Sequence, residues 1–173
     1  MSDFFGRVTG DQDPLKKLAS YIPGFGGYIE RENRRAADKL LRDTVARRYE
    51  ELNKRLSALQ TDLISQGGIE FMDEMEIAAR QIRTFTDKIR NATYGYSGLF
   101  DAVKINQDEL TKIYTFDAAF FDLAEQIKNA LDTVEATLGV PEGLPAAIRN
   151  LVTLAGQAVT TYEQRYEIFQ GSK

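Results

Sequence analysis

Apolar residues recur along most of this chain at alternating steps of four and three. Between Gly27 and Gly67, the residues Val45, Tyr49, Leu52, Leu56, Leu59 and Leu63 mark one face of a helix. No proline interrupts that stretch. At 1.5 Å per residue, an unbroken helix over it is about 58 Å long. A stripe of that length needs partners, and three later stripes supply them. Phe71, Met75, Ala78, Ile82, Phe85, Ile89, Ala92 and Tyr96 form the second. Leu110, Ile113, Phe120, Ala124, Ile127, Leu131, Val134 and Leu138 form the third, which Asp117 interrupts. Ile148, Leu151, Ala155, Ala158, Tyr162, Tyr166 and Phe169 form the fourth. No segment shows the turn-bounded alternation of a strand. The pattern predicts an all-α protein, an antiparallel up-down-up-down four-helix bundle with long helices.

The punctuation between stripes agrees. Asp13-Pro14 supplies an N-cap and a proline for the first helical position. They open a short amphipathic helix with Leu15, Leu18 and Ile22 on one side and Lys16 and Lys17 on the other. Residues 23–27, Pro-Gly-Phe-Gly-Gly, end it in a turn. Gly67-Gly68 is too short a link for anything but an antiparallel return. The helix after it opens with Glu70, Asp73, Glu74 and Glu76 and closes with Arg83, Lys88 and Arg90, the order its dipole favours. Asn106 and Glu109 form a capping box, with Ile105 and Leu110 as its staple. Gly139 and Pro141 close that helix, and Pro145 sits in the first turn of the last one. Gly156 lowers helix propensity by about 1 kcal/mol relative to Ala, which predicts a close neighbour there. The chain thus divides into a tail with a short amphipathic helix (1–26) and a bundle (27–173), one domain overall. The start of the longest helix should overhang. The short helix is expected to lie across it, on Ala36, Ala37, Leu40 and Leu41.

Composition removes several chemistries. The chain has 22 basic and 26 acidic residues, a net charge of −4, which speaks against a nucleic-acid binder. It has no cysteine, so disulfides, thiolate metal sites and cysteine nucleophiles are absent, and a reducing cytoplasm fits. It has no histidine, the commonest general base and metal ligand. A ferritin-like Glu-x-x-His site is therefore impossible, and the serines lack a histidine partner. No apolar run approaches the roughly 20 residues of a membrane span, and the first residues lack the form of a secretory signal. These observations predict a cytoplasmic protein that is not an enzyme and uses no metal or cofactor.

Some candidate sites survive. A carboxylate-only metal cage could draw on Glu70, Asp73, Glu74, Asp117 and Asp122, against the simpler reading of charged, exposed faces. Asp117 reads either as a buried acid that selects register or binds something or, the expected case, as a residue turned to the rim beside an arginine, the stripe shifting onto Phe116, Phe120 and Phe121. The glycines at 24, 26 and 27 lack the preceding strand and following Lys-Ser/Thr of a phosphate loop. Backbone N–H groups there, with Arg31, Arg34 and Arg35, leave a weaker anion site, for which Glu30 and Glu32 compete. The basic run from Arg31 to Arg48 reads as a solvated face of mixed charge or as a surface for a partner. Tyr94, Tyr96, Leu99, Phe100 and Val103 make the connection before residue 106 aromatic and apolar, either to plug the bundle end or to form an interface. Leu40, Leu41, Ile64, Met72, Phe121 and Val159 lie off or beside the stripes and are open to a second copy. A short amphipathic helix before a long helical hairpin resembles the architecture of phage-shock and ESCRT-III membrane-remodelling proteins. The likeness spans the first 90 or so residues and carries none of their motifs.

The expected function is non-enzymatic: contact with a protein partner, self-association included. The alternative is a peripheral membrane protein. It would dock through residues 1–25, with Phe4, Phe5, Leu15, Leu18, Ile22 and Phe25 in the interface and Lys16, Lys17 and Arg31 at head groups. If the short helix is a detachable arm, the same apolar residues can enter a neighbouring protomer or a lipid surface, docking on protein being the expected case.

Overall fold

The computed structural model describes residues 13–30, 34–92 and 107–171, with side chains described for 13–28, 36–92 and 111–167. Six α-helices account for nearly all of them: α1 (Pro14–Tyr21), α2 (Phe25–Glu30), α3 (Arg34–Ser65), α4 (Met72–Asn91), α5 (Gln107–Thr137) and α6 (Leu144–Gly171). A single 3₁₀ turn, Ile69–Phe71, leads into α4. No strand occurs among the described residues. The four long helices form a bundle whose core is the predicted stripes. Val45, Tyr49, Leu56, Met75, Ala78, Ile82, Phe85, Ile127, Leu131, Leu151 and Ala155 are all buried in one cluster.

Each hairpin is shaped by its own local chemistry. At the end of α3, Gly67 takes φ +83°, a conformation that favours glycine. Gly68 N–H then donates to the Leu63 carbonyl and Gly67 N–H to that of Ile64, the paired bonds of a Schellman cap. The return is antiparallel: Arg90 near the end of α4 pairs with Glu50, and Glu76 near its start accepts from Gln60. Gly139, at φ +79°, turns the chain between α5 and α6, where Val140 N–H donates to the Thr137 carbonyl.

Direction alternates along the sequence as predicted, but neighbours do not all run antiparallel. Tyr49 donates to the Phe120 carbonyl, Arg48 pairs with Glu125, and Arg55 pairs with Asp132 and Glu135. Both sets of numbers rise together, so α3 and α5 lie side by side and parallel. α4 packs on α3 and α6, and α5 on α6 and α3, which leaves α4 and α5 on a diagonal. Both hairpin turns therefore share one end of the bundle. There the Gln66 side chain comes within 3.4 Å of where a Cβ on Gly139 would stand.

Four expectations change. The turn is confined to Pro23–Gly24, where Gly24 has φ +84°, so Gly26 and Gly27 are helical, in α2. The described part of the longest helix is the 32 residues of α3, about 48 Å instead of 58 Å. The short helix α1 lies mainly on α5, not across Ala36, Ala37, Leu40 and Leu41. A Cβ placed on Gly156 would meet no neighbouring atom within 4 Å, so close packing does not account for that glycine. Asn106 lies outside the described residues, although α5 does begin at Gln107, the next position.

Candidate functional site

The predicted seam of α6 holds through Ala158 and then drifts. Tyr166 is 48% exposed, while Thr161 and Arg165 turn inward. Arg165 meets Asp117 there, its Nε 2.6 Å from Oδ1 and its Nη2 3.1 Å from Oδ2. Asp117 is thus not at the rim: it and Arg165 are 2% and 1% exposed. The partner is an arginine, as expected, but the pair is two-pronged and internal. A second pair, Arg42 and Asp38, joins it from α3, with Nε 2.9 Å from Oδ2. Arg42 belongs to the basic run that reads as solvated, yet it too is buried. Burial pushes the Asp117 carboxyl well above its usual range, and the Asp38 charge adds to this. Burial also pulls the Arg165 guanidinium down to about 9, against the pull of Asp38 in the other direction. The two direct hydrogen bonds favour the charged pair and oppose both effects. Among the described residues, two cations and two anions on three helices face one another, each side chain at most 9% exposed.

Residues 113–121 of α5 form the longest run of consecutive buried residues among those described. Two faces serve the bundle, and α1 covers a third. Asp13 accepts from Leu15 N–H and caps α1, as the sequence predicts. Leu18, Ile22 and Phe25 are each at most 1% exposed, and Leu15 is partly buried against the same core. The Tyr21 ring stacks on Phe121 at 4.9 Å, and Phe25 meets Tyr114 edge-on at 6.3 Å. Around this apolar patch runs a polar seam. Lys17 pairs with Asp122, Tyr21 Oη donates to the same carboxylate, and Arg48 stands 5.6 Å from both the Tyr21 and Phe121 rings. Desolvation, then the Asp122 charge, raises the Tyr21 phenol above its ordinary pKa.

The structure separates the sequence candidates. Leu15, Leu18, Ile22 and Phe25 come together, but against this chain's own α5 and α3. Leu41 and Phe121 are buried, and Leu40, Met72 and Val159 pack partly on the core. Of the six off-stripe residues only Ile64 is largely exposed. The side chains of Arg31, Arg34 and Arg35, and residues Phe4, Phe5, Tyr94, Tyr96, Leu99, Phe100 and Val103, lie outside the described residues. The carboxylate cage is not assembled: Asp117 and Asp122 are spent on Arg165 and Lys17. Among the described residues no three acidic, histidine or cysteine side chains gather as a metal site would require.

Two features escape a reading by stripes. Ile64, Ile69 and Val140, between 50% and 72% exposed, all belong to the shared hairpin end. Two of the three sit in or beside turns, where periodicity carries no information. A surface groove of about 580 Å³ also opens between α4 and α6, lined by Lys88, Asn91, Tyr162, Glu163, Tyr166 and Glu167. Lys88 already lies 5.8 Å over the Tyr162 ring and 4.0 Å from Glu163, so its charge is answered from within the chain. No helix among the described residues is long and apolar enough to cross a membrane. No family profile matches the sequence, and no curated protein or solved structure shows detectable similarity to it.

Proposed function

We propose that this chain works by protein–protein contact, without catalysis, and that it associates with copies of itself. One observation carries the reading: three large apolar side chains, Ile64, Ile69 and Val140, stand in solvent at the end where both hairpins turn. Glycine caps fix those turns, so the residues are presented on a rigid support and little ordering entropy opposes docking. Single exposed apolar residues are ordinary, whereas several at one end suit a contact surface. A reducing cytoplasm is the setting this reading favours. The membrane alternative is weaker on physical grounds. Lipid docking would take Leu18, Ile22 and Phe25 off α5 and leave Phe121 and Tyr114 uncovered to water.

Light scattering over a range of concentrations tests the proposal. The wild-type mass should rise above the 19.5 kDa of one chain. Ile69→Glu with Val140→Glu should reduce that rise at unchanged helicity. A wild type that stays monomeric at all concentrations, or a variant that associates equally well, sinks the hairpin end as the contact. Pelleting with anionic vesicles under the same conditions would favour the membrane alternative.

A further inference from the structure

The contact between α1 and α5 has the form of a helix lying in a groove. On α5, the buried residues Tyr114, Ala118 and Phe121 stand at steps of four and three, and Glu125 follows at four. On α1 and the residue after it, Leu18, Tyr21 and Ile22 fill the stripe. Lys17 and Asp122 set the register from the two sides, 105 residues apart in sequence. α1 has eight residues, too few to hold a helix alone in water. It packs on α5 and, to a lesser extent, α2. It joins α2 through the Pro23–Gly24 turn, where Gly24 has open space around it. A segment held at one interface, by contacts distant in sequence, fits an identical groove on another molecule equally well. Exchange between copies regains every contact that opening loses, which makes it a low-cost route to a dimer.

We infer that α1 also seats on the α5 groove of a second copy, giving a dimer with reciprocally exchanged N-terminal helices. This rests on the self-association reading but uses a different surface from the hairpin end. The occupant is defined by the groove: an amphipathic turn with apolar residues at steps of three and four, and a cation placed to meet Asp122. This chain carries that segment.

Charge reversal tests it. Lys17→Asp alone sets two carboxylates against each other within one molecule, and Asp122→Lys alone sets two ammonium groups. A heterodimer of these two variants, with α1 exchanged, has both pairs matched. Both variants also carry Ile69→Glu/Val140→Glu, so that the hairpin end does not join them; one is labelled with ¹⁵N, and the two are mixed, warmed below the unfolding transition, cooled and weighed by native mass spectrometry. The expected result is heterodimer in about tenfold excess over either homodimer, since two partly exposed ion pairs act together. Monomers only, or a statistical 1:2:1 mixture of dimers, overturns the exchange. The double variant Lys17→Asp/Asp122→Lys keeps a matched pair within one chain and guards against misfolded single variants. In the same Ile69→Glu/Val140→Glu background it should form dimers with itself yet not with the chain that keeps Lys17 and Asp122, and free mixing of those two again overturns the exchange. The hairpin-end reading stands apart: if mixing shows no selectivity while Ile69→Glu/Val140→Glu still reduces association, only the exchange fails.

Discussion

At the scale of single residues, the Asp117–Arg165 pair has the largest consequences. Truncating either partner strands a buried charge, a loss of about 3–5 kcal/mol in comparable pairs. Asp117→Ala and Arg165→Ala should each show it as a lowered urea midpoint. Replacing both together, Asp117→Leu with Arg165→Met, should cost less than either alone, because no charge is then left unanswered. The sequence displayed Asp117 as a break in a seam but not its partner. Arg165 falls one position short of the expected Tyr166, and a drift of one residue decides which side chain faces inward. Tyr49 offers a test in pH. Its hydroxyl donates to the Phe120 carbonyl at 2.7 Å, and burial raises its pKa far above the ordinary 10.0. Above about pH 10 the unfolded chain releases this proton while the folded one keeps it, so stability falls as pH rises. Tyr49→Phe should lose about 1 kcal/mol near neutrality with the hydrogen bond. It should also flatten the alkaline decline, measured by denaturation across pH 8–11.

At the scale of elements, two glycines make opposite forecasts. Gly156 sits inside α6 with space around it, so Gly156→Ala should stabilise by about 0.5–1 kcal/mol and raise the melting temperature. Gly68 has a negative φ and so looks replaceable by torsion alone. A Cβ there, however, would stand 2.5 Å from Leu63 Cδ1 and 3.2 Å from its carbonyl oxygen. Gly68→Ala should therefore destabilise, by about 1–3 kcal/mol, the usual cost of overpacking. The spacing within each helix was legible because burial repeats with the helix period. In α4 every predicted position from Met75 to Ile89 is buried, and Ile82→Ala or Phe85→Ala should each cost about 2–5 kcal/mol. The enclosure of α5 was not legible in this way. Nine consecutive buried residues have no period, and part of the cover, over Phe121 and Tyr114, comes from Tyr21 and Phe25 elsewhere in the chain.

At the scale of the whole molecule, the order of stripes and turns set the alternation of directions and hid the neighbours. Two glycine-capped hairpins can be laid side by side in more than one way, and local signals do not choose between them. The cross-links from α3 to α5 do: Tyr49 to Phe120, Arg48 to Glu125, and Arg55 to Asp132 and Glu135. Removing residues 1–28 would strip Phe121 and Tyr114 of cover, so the truncated chain should remain helical but melt at a lower temperature and bind more hydrophobic dye than the full chain. The shared hairpin end also gives the bundle a polarity. With α3 starting and α6 finishing at the opposite end, anything tethered through either of those helix ends is held away from Ile64, Ile69 and Val140. A chain immobilised on a support by such a tether would present that apolar tip outward, like the nap of a brush. Neighbouring molecules fixed in the same sense could then touch one another only along their flanks.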